Sequence, residues 1–209
     1  MPTTVITLRP ATSTDVEVLA VLLVQLYHVE APGVLHGPLE EQQRFFQHLI
    51  GYELASGSTG RYIALDPNGK IVGTLGLRQP GCTFVMLLPP GTLRMALNTI
   101  GLADTLRLIF NGLRNACAPE ITLAPGEFYL YSLVVDETMR YRGIGAKMLS
   151  TIETIARQLG GHTLLLRVLT NNTSALQLYQ RMGYQMVAHT PSFLEQIAIP
   201  SAVMRKVLG

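Results

Sequence analysis

The stretch Tyr129-Leu130-Tyr131-Ser132-Leu133-Val134-Val135-Asp136-Glu137-Thr138-Met139-Arg140-Tyr141-Arg142-Gly143-Ile144-Gly145 decides how this chain is read. An apolar, β-branched run gives way to a short polar turn and then to Arg-x-x-Gly-x-Gly. A helical pattern follows, with Ile144, Met148, Ile152, Ile155 and Leu159 recurring at steps of three or four. Strand, glycine-bearing turn and helix in this order make an anion site. The first helical N–H groups have no partner within the helix and point out of its end. Gly143 and Gly145 carry no Cβ, so a phosphate can approach the backbone closely.

Composition bounds what such a site serves. The 209 residues suffice to bury a sizeable core, and charged residues make up 14%, well below the usual quarter. Mean hydropathy is +0.29. That combination implies extensive burial, some of it at a subunit interface, so a homodimer is expected. A net charge of +2 is no basic footprint, and no nucleic-acid partner is expected. No run of about eighteen apolar residues predicts a membrane span, and the N-terminus carries no signal-peptide pattern. Cys82 and Cys117 fit free, buried thiols in a reducing compartment better than a disulfide. A cytoplasmic protein is the expectation.

Outward from the central stretch, the order of elements reads as alternating strand and helix. Val5 to Leu8 is a short strand ended by Arg9-Pro10. Thr14-x-x-Glu17 has the form of a capping box, and Val16, Leu19, Ala20, Leu23 and Leu26 predict a helix to about Tyr27 or His28. A second helix is predicted over 39–54. Two β runs flank Asp66-Pro67-Asn68-Gly69 and predict a hairpin. Between Thr92 and Ala118 a stripe of Leu93, Leu97, Ile100, Ala103, Leu106, Phe110 and Leu113 predicts one kinked helix or two short ones, because Gly101 and Gly112 weaken it. Thr163 to Val168 is apolar enough for a strand buried on both faces. Asn172 caps a further helix, Gly183 stands at its C′ position, and two closing strands follow.

The Arg140–Gly145 turn is neither a P-loop nor a dinucleotide fingerprint. A second constellation sharpens it: Asn172-x-x-Ala175-x-x-Leu178-Tyr179-x-x-x-Gly183-Tyr184. The pair, in this order and at this separation, resembles motifs A and B of the GNAT superfamily of acyl-CoA-dependent N-acetyltransferases. The resemblance covers roughly residues 5 to 79 and 127 to 207.

The resemblance implies one N-acetyltransferase domain over residues 1–209. Its fold would be α/β, with a mixed, centrally splayed sheet, helices on both faces and a helical insertion at 80–126. It implies acetyl-CoA as acyl donor, bound where the fourth and fifth strands part. The N–H groups of Arg142, Gly143, Ile144, Gly145, Ala146 and Lys147 would hold the pyrophosphate, aided by Arg140. Leu133 and Val135 would pair with the pantetheine arm, and the N–H of Val134 or Val135 would polarise the thioester carbonyl. Asn172 would contact the cofactor arm, unless it is a helix cap and nothing more. Tyr179 falls at the family's general acid, and otherwise reads as a core residue.

The base is less defined. The family's strand-four glutamate is replaced by Tyr129, leaving Glu127, Tyr129 or Tyr131 acting through water. The first helices of this family line the acceptor pocket, which would bring Tyr27, His28, Glu30 and His36 there, with Tyr131 beside them. Each also reads as an ordinary surface or loop residue. His162 and His189 lack metal-ligand spacing, and no metal is expected. The insertion reads as packing on the sheet or a dimer surface, with a lid over the acceptor as the alternative. The activity implied is acetyl transfer to a primary amine, a small molecule before a peptide; the rival is a non-catalytic acyl-CoA-binding module.

Overall fold

The computed structural model describes residues 5–56, 60–81, 88–116, 121–191 and 198–209. Cys82 and Cys117 lie outside them. The chain begins with β1 (Thr7–Pro10), α1 (Val16–Glu30), α2 (Leu39–Ala55) and the hairpin β2 (Arg61–Leu65) and β3 (Ile71–Arg78). The insertion holds α3 (Thr92–Thr99) and α4 (Gly101–Ala116). Then come β4 (Glu127–Val135), α5 (Ile144–Gln158), β5 (Thr163–Leu169), α6 (Thr173–Arg181), β6 (Gln185–His189) and β7 (Ser201–Val207). The strands form one sheet in the order β1-β2-β3-β4-β5-β7-β6. Among the described pairings, β4 with β5 is parallel and the rest are antiparallel.

Each face of the sheet has its own apolar layer. On one, Ile144, Met148, Leu149 and Ile152 of α5 pack with Val72, Leu75, Leu130, Leu164 and Leu166. On the other, Leu19 and Leu23 of α1 and Phe45, Phe46 and Ile50 of α2 pack with Ile63 and with Ala96 and Ile100. Full burial of each such large side chain contributes about 1.5–3 kcal/mol.

Local chemistry explains most boundaries. In the predicted hairpin turn the Asp66 carboxylate accepts the N–H groups of Asn68 and Lys70, both at 2.9 Å, and Gly69 takes φ +77°. The predicted helical stretch of the insertion is two helices, broken at Gly101 with φ +78°. Gly112 stays inside α4.

Four expectations shift. β1 starts two residues late and includes Arg9 and Pro10; on an edge strand, the missing N–H of proline removes no ladder bond. The capping box is Thr12 with Asp15, whose carboxylate accepts the Thr12 N–H at 2.8 Å, and Glu17 stays outside it. The first helix continues to Glu30. In α5 the stripe turns to Ala156, while Leu159 lies past the helix end and is 48% exposed.

Two ion pairs on buried carboxylates tie this frame together. Asp15, 3% exposed, takes two hydrogen bonds from Arg9 at 2.7 Å each. The Arg9 bonds, followed by those of Thr12, hold its carboxyl at about 2 against the effect of burial. Glu153 on α5, 4% exposed, accepts from Lys206 Nζ at 2.7 Å and joins the helix to β7.

A carboxyl depressed by folding adds stability above its unfolded pKa and loses it as pH falls through the folded value. Asp15→Asn is therefore expected to lower the urea unfolding free energy by roughly 2 kcal/mol at pH 7, with the deficit gone near pH 2. An equal deficit at both pH values would contradict this account. Lys206→Met leaves a buried carboxylate without its partner and is expected to cost about 3 kcal/mol in the same measurement. A cost near zero would show that the pair does not matter.

Candidate active site

β4 keeps β3 beside it from Tyr129, opposite Arg78, to Val135, opposite Gly73. Its pairing with β5 covers just Glu127–Leu130 against Thr163–Leu166, while β5 stays with β7 as far as Leu169. Beyond Leu130 the two parallel strands part, and a wedge opens between Tyr131–Val135 and Arg167–Leu169. A bulge in β4 accompanies it. The register slips between Thr74 and Gly76, and Ser132 sits at φ +48°, a left-handed conformation costing about 1–2 kcal/mol for a non-glycine residue. The bulge lays the Tyr131 ring on Gly76, where an added Cβ would stand 2.1 Å from it. On its far side the ring meets the Arg61 guanidinium at 5.3 Å. Burial, then a hydrogen bond with Glu53 among the smaller causes, pushes the Tyr131 phenol up to about 12.

The wedge leads to the N-terminus of α5. Gly143 is the cap, at φ +75°, and an added Cβ there would meet nothing within 4 Å. At Gly145 it would stand 3.1 Å from Leu178 of α6 and 3.7 Å from Val135, so this glycine lets helix, helix and strand meet. The Lys147 N–H donates to the Gly143 carbonyl at 3.2 Å. Of the run expected to bind anions, Ile144, Gly145 and Ala146 therefore carry the α5 N–H groups with no backbone partner among the described residues. Arg140 Nε donates to the Val135 carbonyl at 3.1 Å, and Arg142 is exposed. Gln25 of α1 braces the turn, donating to Asp136 at 3.3 Å and accepting the Glu137 N–H at 3.0 Å. Asn172 accepts the Ala175 N–H at 3.2 Å, so the cap is real; among the described residues its side-chain N–H groups make no hydrogen bond.

The other end of the wedge collects titratable groups. Tyr179 on α6 is 7% exposed, edge-on to Tyr184 at 5.8 Å, and its phenol is driven upward by burial, then by the charge of Glu30 and by Tyr129. Tyr129 is raised by burial, while the charges of Arg167 and Arg78 oppose this; the Arg78 guanidinium lies 4.9 Å over its ring. Glu30 stands one helical turn after Tyr27, and its charge is felt at Tyr27, Tyr129 and Tyr179 alike. Its surface opens to solvent, yet the surrounding walls desolvate the carboxyl enough to raise it to about 7. Among the described residues Glu30 has no hydrogen bond and no ion pair.

The insertion reaches the neighbouring elements through polar groups. Asp104 of α4, 3% exposed, accepts the N–H groups of His36 at 2.6 Å and Gly37 at 2.9 Å, and Arg107 at 2.6 Å. Asn111 lies near the Tyr27 hydroxyl and lowers its phenol against the effect of burial, Arg114 donates to the Ala198 carbonyl at 3.1 Å, and Asn115 accepts from Arg167 at 3.4 Å. α4 thus bridges α1 and β5 with polar groups. Its apolar stripe does not pack on the sheet. Leu106, Phe110 and Leu113 are 56%, 63% and 63% exposed.

The structure separates the other expected residues. Glu127 sits where β4 and β5 are still paired; it accepts the Ala124 N–H at 3.1 Å and pairs with Arg205 at 3.5 Å. His28 bonds to Gln42 at 2.8 Å, and His36 stands by Asp104, so both brace the α1–α2 region. Arg78, Asn111 and Arg167 went unremarked in the sequence, where a lone Arg or Asn carries no pattern.

Known proteins share this fold. A family model described as Acetyltransferase (GNAT) family matches residues 23–184. An uncharacterized N-acetyltransferase of Bacillus subtilis (strain 168), YdgE, is 40% identical over 60 residues, covering 29% of this chain and 38% of that relative's length. A crystal structure described as that of an acetyltransferase has a TM-score of 0.61 at 24% identity, over 97% of this chain and 100% of the other. One of AAC(6')-Ib in complex with paromomycin and acetyl-CoA has a TM-score of 0.59 at 18% identity, over 97% and 93%. At such identities the likeness to solved structures carries the fold. The family match takes in the wedge, the glycine turn and both motifs, and the chain belongs to the acetyltransferase (GNAT) family.

Proposed function

We propose that the protein transfers an acetyl group from acetyl-CoA to the primary amine of a small molecule, by direct attack within a ternary complex. The observation that carries the reading is the wedge between β4 and β5 leading to the open N-terminus of α5, with the buried phenol of Tyr179 beside it. Acetyl-CoA supplies the activated acetyl group. The residues present suit it. Open space lies over Gly143, the N–H groups of Ile144, Gly145 and Ala146 face outward, and Leu133–Val135 form a strand edge that β5 has left. Arg140 and Arg142 add positive charge, and the Asn172 amide can donate to the cofactor arm.

Glu30 is the proton acceptor in this reading, in place of Glu127, which Arg205 engages. An alkyl ammonium with a pKa near ~10 must lose a proton before it attacks, and a carboxylate raised to about 7 is a stronger base than an ordinary glutamate. The N–H of Val134 or Val135 stabilises the developing oxyanion. Tyr179 stays protonated at neutral pH and donates its proton to the departing thiolate. Coupling helps this step. Once Glu30 is neutralised, the charge opposing Tyr179 ionisation is gone, and the phenol becomes the stronger acid. Tyr129, Tyr27 and Tyr131 line the acceptor side, and α4 above them favours a compact acceptor over an extended peptide. No covalent enzyme intermediate is required.

Thiol release measured across a panel of small amines tests the reading; saturable acetyl-CoA binding with no turnover on any acceptor would favour the binding module. For an active acceptor, kcat/KM is expected to rise with pH through about 7, since Glu30 accepts a proton as carboxylate. Glu30→Gln should lower kcat by about 10²–10⁴-fold and abolish that limb, leaving acetyl-CoA affinity intact. A limb that survives the substitution would remove Glu30 from the mechanism. Tyr179→Phe should lower kcat by about 10²-fold with little change in the acceptor KM; an unchanged kcat would contradict the acid role.

A further inference from the structure

α4 is amphipathic in the opposite sense from an ordinary surface helix. Its inward positions carry Asp104, Thr105 and Asn111, with Asp104 and Thr105 just 3% and 2% exposed. Its outward positions Leu102, Leu106, Phe110 and Leu113 are 65%, 56%, 63% and 63% exposed, and α3 extends the patch with Leu93 and Leu97 at 59% and 40%. The helix cannot roll to bury this stripe within one chain. The bonds of Asp104 to the His36 and Gly37 N–H groups and of Arg114 to the Ala198 carbonyl fix its orientation.

The size of the patch points to its occupant. These six side chains expose on the order of 500 Å² of apolar surface, toward the upper end of the largest patch on a monomer and enough, with a polar rim, to approach the ~800 Å² per partner of a standard interface. The four outward positions run along about 17 Å of helix, in a straight i, i+4, i+8, i+11 line. The α4 positions of the stripe hold no ionised side chain, so two copies can meet along α4 without like-charge repulsion, while the exposed Arg94 of α3 stands at the edge of the patch. A lipid surface fits less well. An interfacial helix turns a cationic face to headgroups, whereas the polar face of α4 turns into the protein, with Arg107 paired to Asp104 and Arg114 bound to a carbonyl.

We propose that the α3–α4 apolar face is the contact surface of a two-fold homodimer, the same stripe meeting its copy. Pairing buries the stripe and anchors α4 over the acceptor end of the wedge in both subunits. This inference does not depend on the acetyl-transfer reading.

Sedimentation velocity of the full chain from ~1 to ~100 µM tests it. The expected species has twice the 22.9 kDa chain mass. Leu106→Glu with Phe110→Glu should dissociate it, with unchanged far-UV circular dichroism and acetyl-CoA affinity. Should that pair lose helical signal, Leu113→Gln with Leu102→Gln is read in its place. A monomer at every concentration would overturn the proposal, as would a dimer that survives both variants. So would a monomeric wild type that co-sediments with phosphatidylglycerol–phosphatidylcholine vesicles.

Discussion

The parting of β4 from β5 is the constraint on which the rest of this molecule depends. Parallel strands in register leave no room for a ligand, because each edge is filled by its neighbour's N–H and C=O groups. Here the pairing stops at Leu130 and Leu166, while each strand keeps its outer partner, β3 for β4 and β7 for β5. The sheet stays intact on both sides of an unfilled edge. The bulge at Ser132 keeps β4 in register with β3 after an extra residue, at the cost of one left-handed non-glycine residue. Gly76 accepts the Tyr131 ring that the bulge lays on it.

Everything chemical is arranged along that opening. At one end three N–H groups of α5 face outward over a glycine turn that Gln25 holds from α1. At the other, the charge of Glu30 is felt at the phenols of Tyr27, Tyr129 and Tyr179. The raised carboxyl of Glu30 is destabilising when ionised, since its unfolded pKa is lower and the penalty grows as pH rises from about 4 to about 7. A group of this kind in a cleft is a candidate for function. The polar groups of α4 turn toward the 36–37 backbone and β5, and its apolar groups face outward.

The sequence made the cofactor half of this picture readable and left the acceptor half obscure. The glycines at 143 and 145, the Asn172 cap and the hairpin at Asn68-Gly69 are local signals whose cause lies within a few residues. Their structure follows from φ angles and orphan N–H groups, so their positions survive. Boundaries that depend on partners moved. The strand β1 runs through Pro10 because it is an edge, and the capping box shifted to Thr12 because Arg9 completes the Asp15 site. The stripe on α4 has a helical period in the sequence, which does not say which way it faces. Orientation came from Asp104 and Arg114, whose partners are 68 and 84 residues away in the chain. The proposed role of Glu30 as base had no signal in the sequence, since its raised carboxyl arises from the burial that distant elements impose.

The central claim is that the β4–β5 wedge and the α5 N-terminus together hold acetyl-CoA. Amide hydrogen exchange with and without saturating CoA tests it most directly. Slowed exchange is expected at Leu133–Val135 and at Gly143–Ala146, where one ligand would satisfy both the open strand edge and the outward helix N–H groups. Binding that leaves both segments unprotected, or protects the anion end without the strand, would contradict the account.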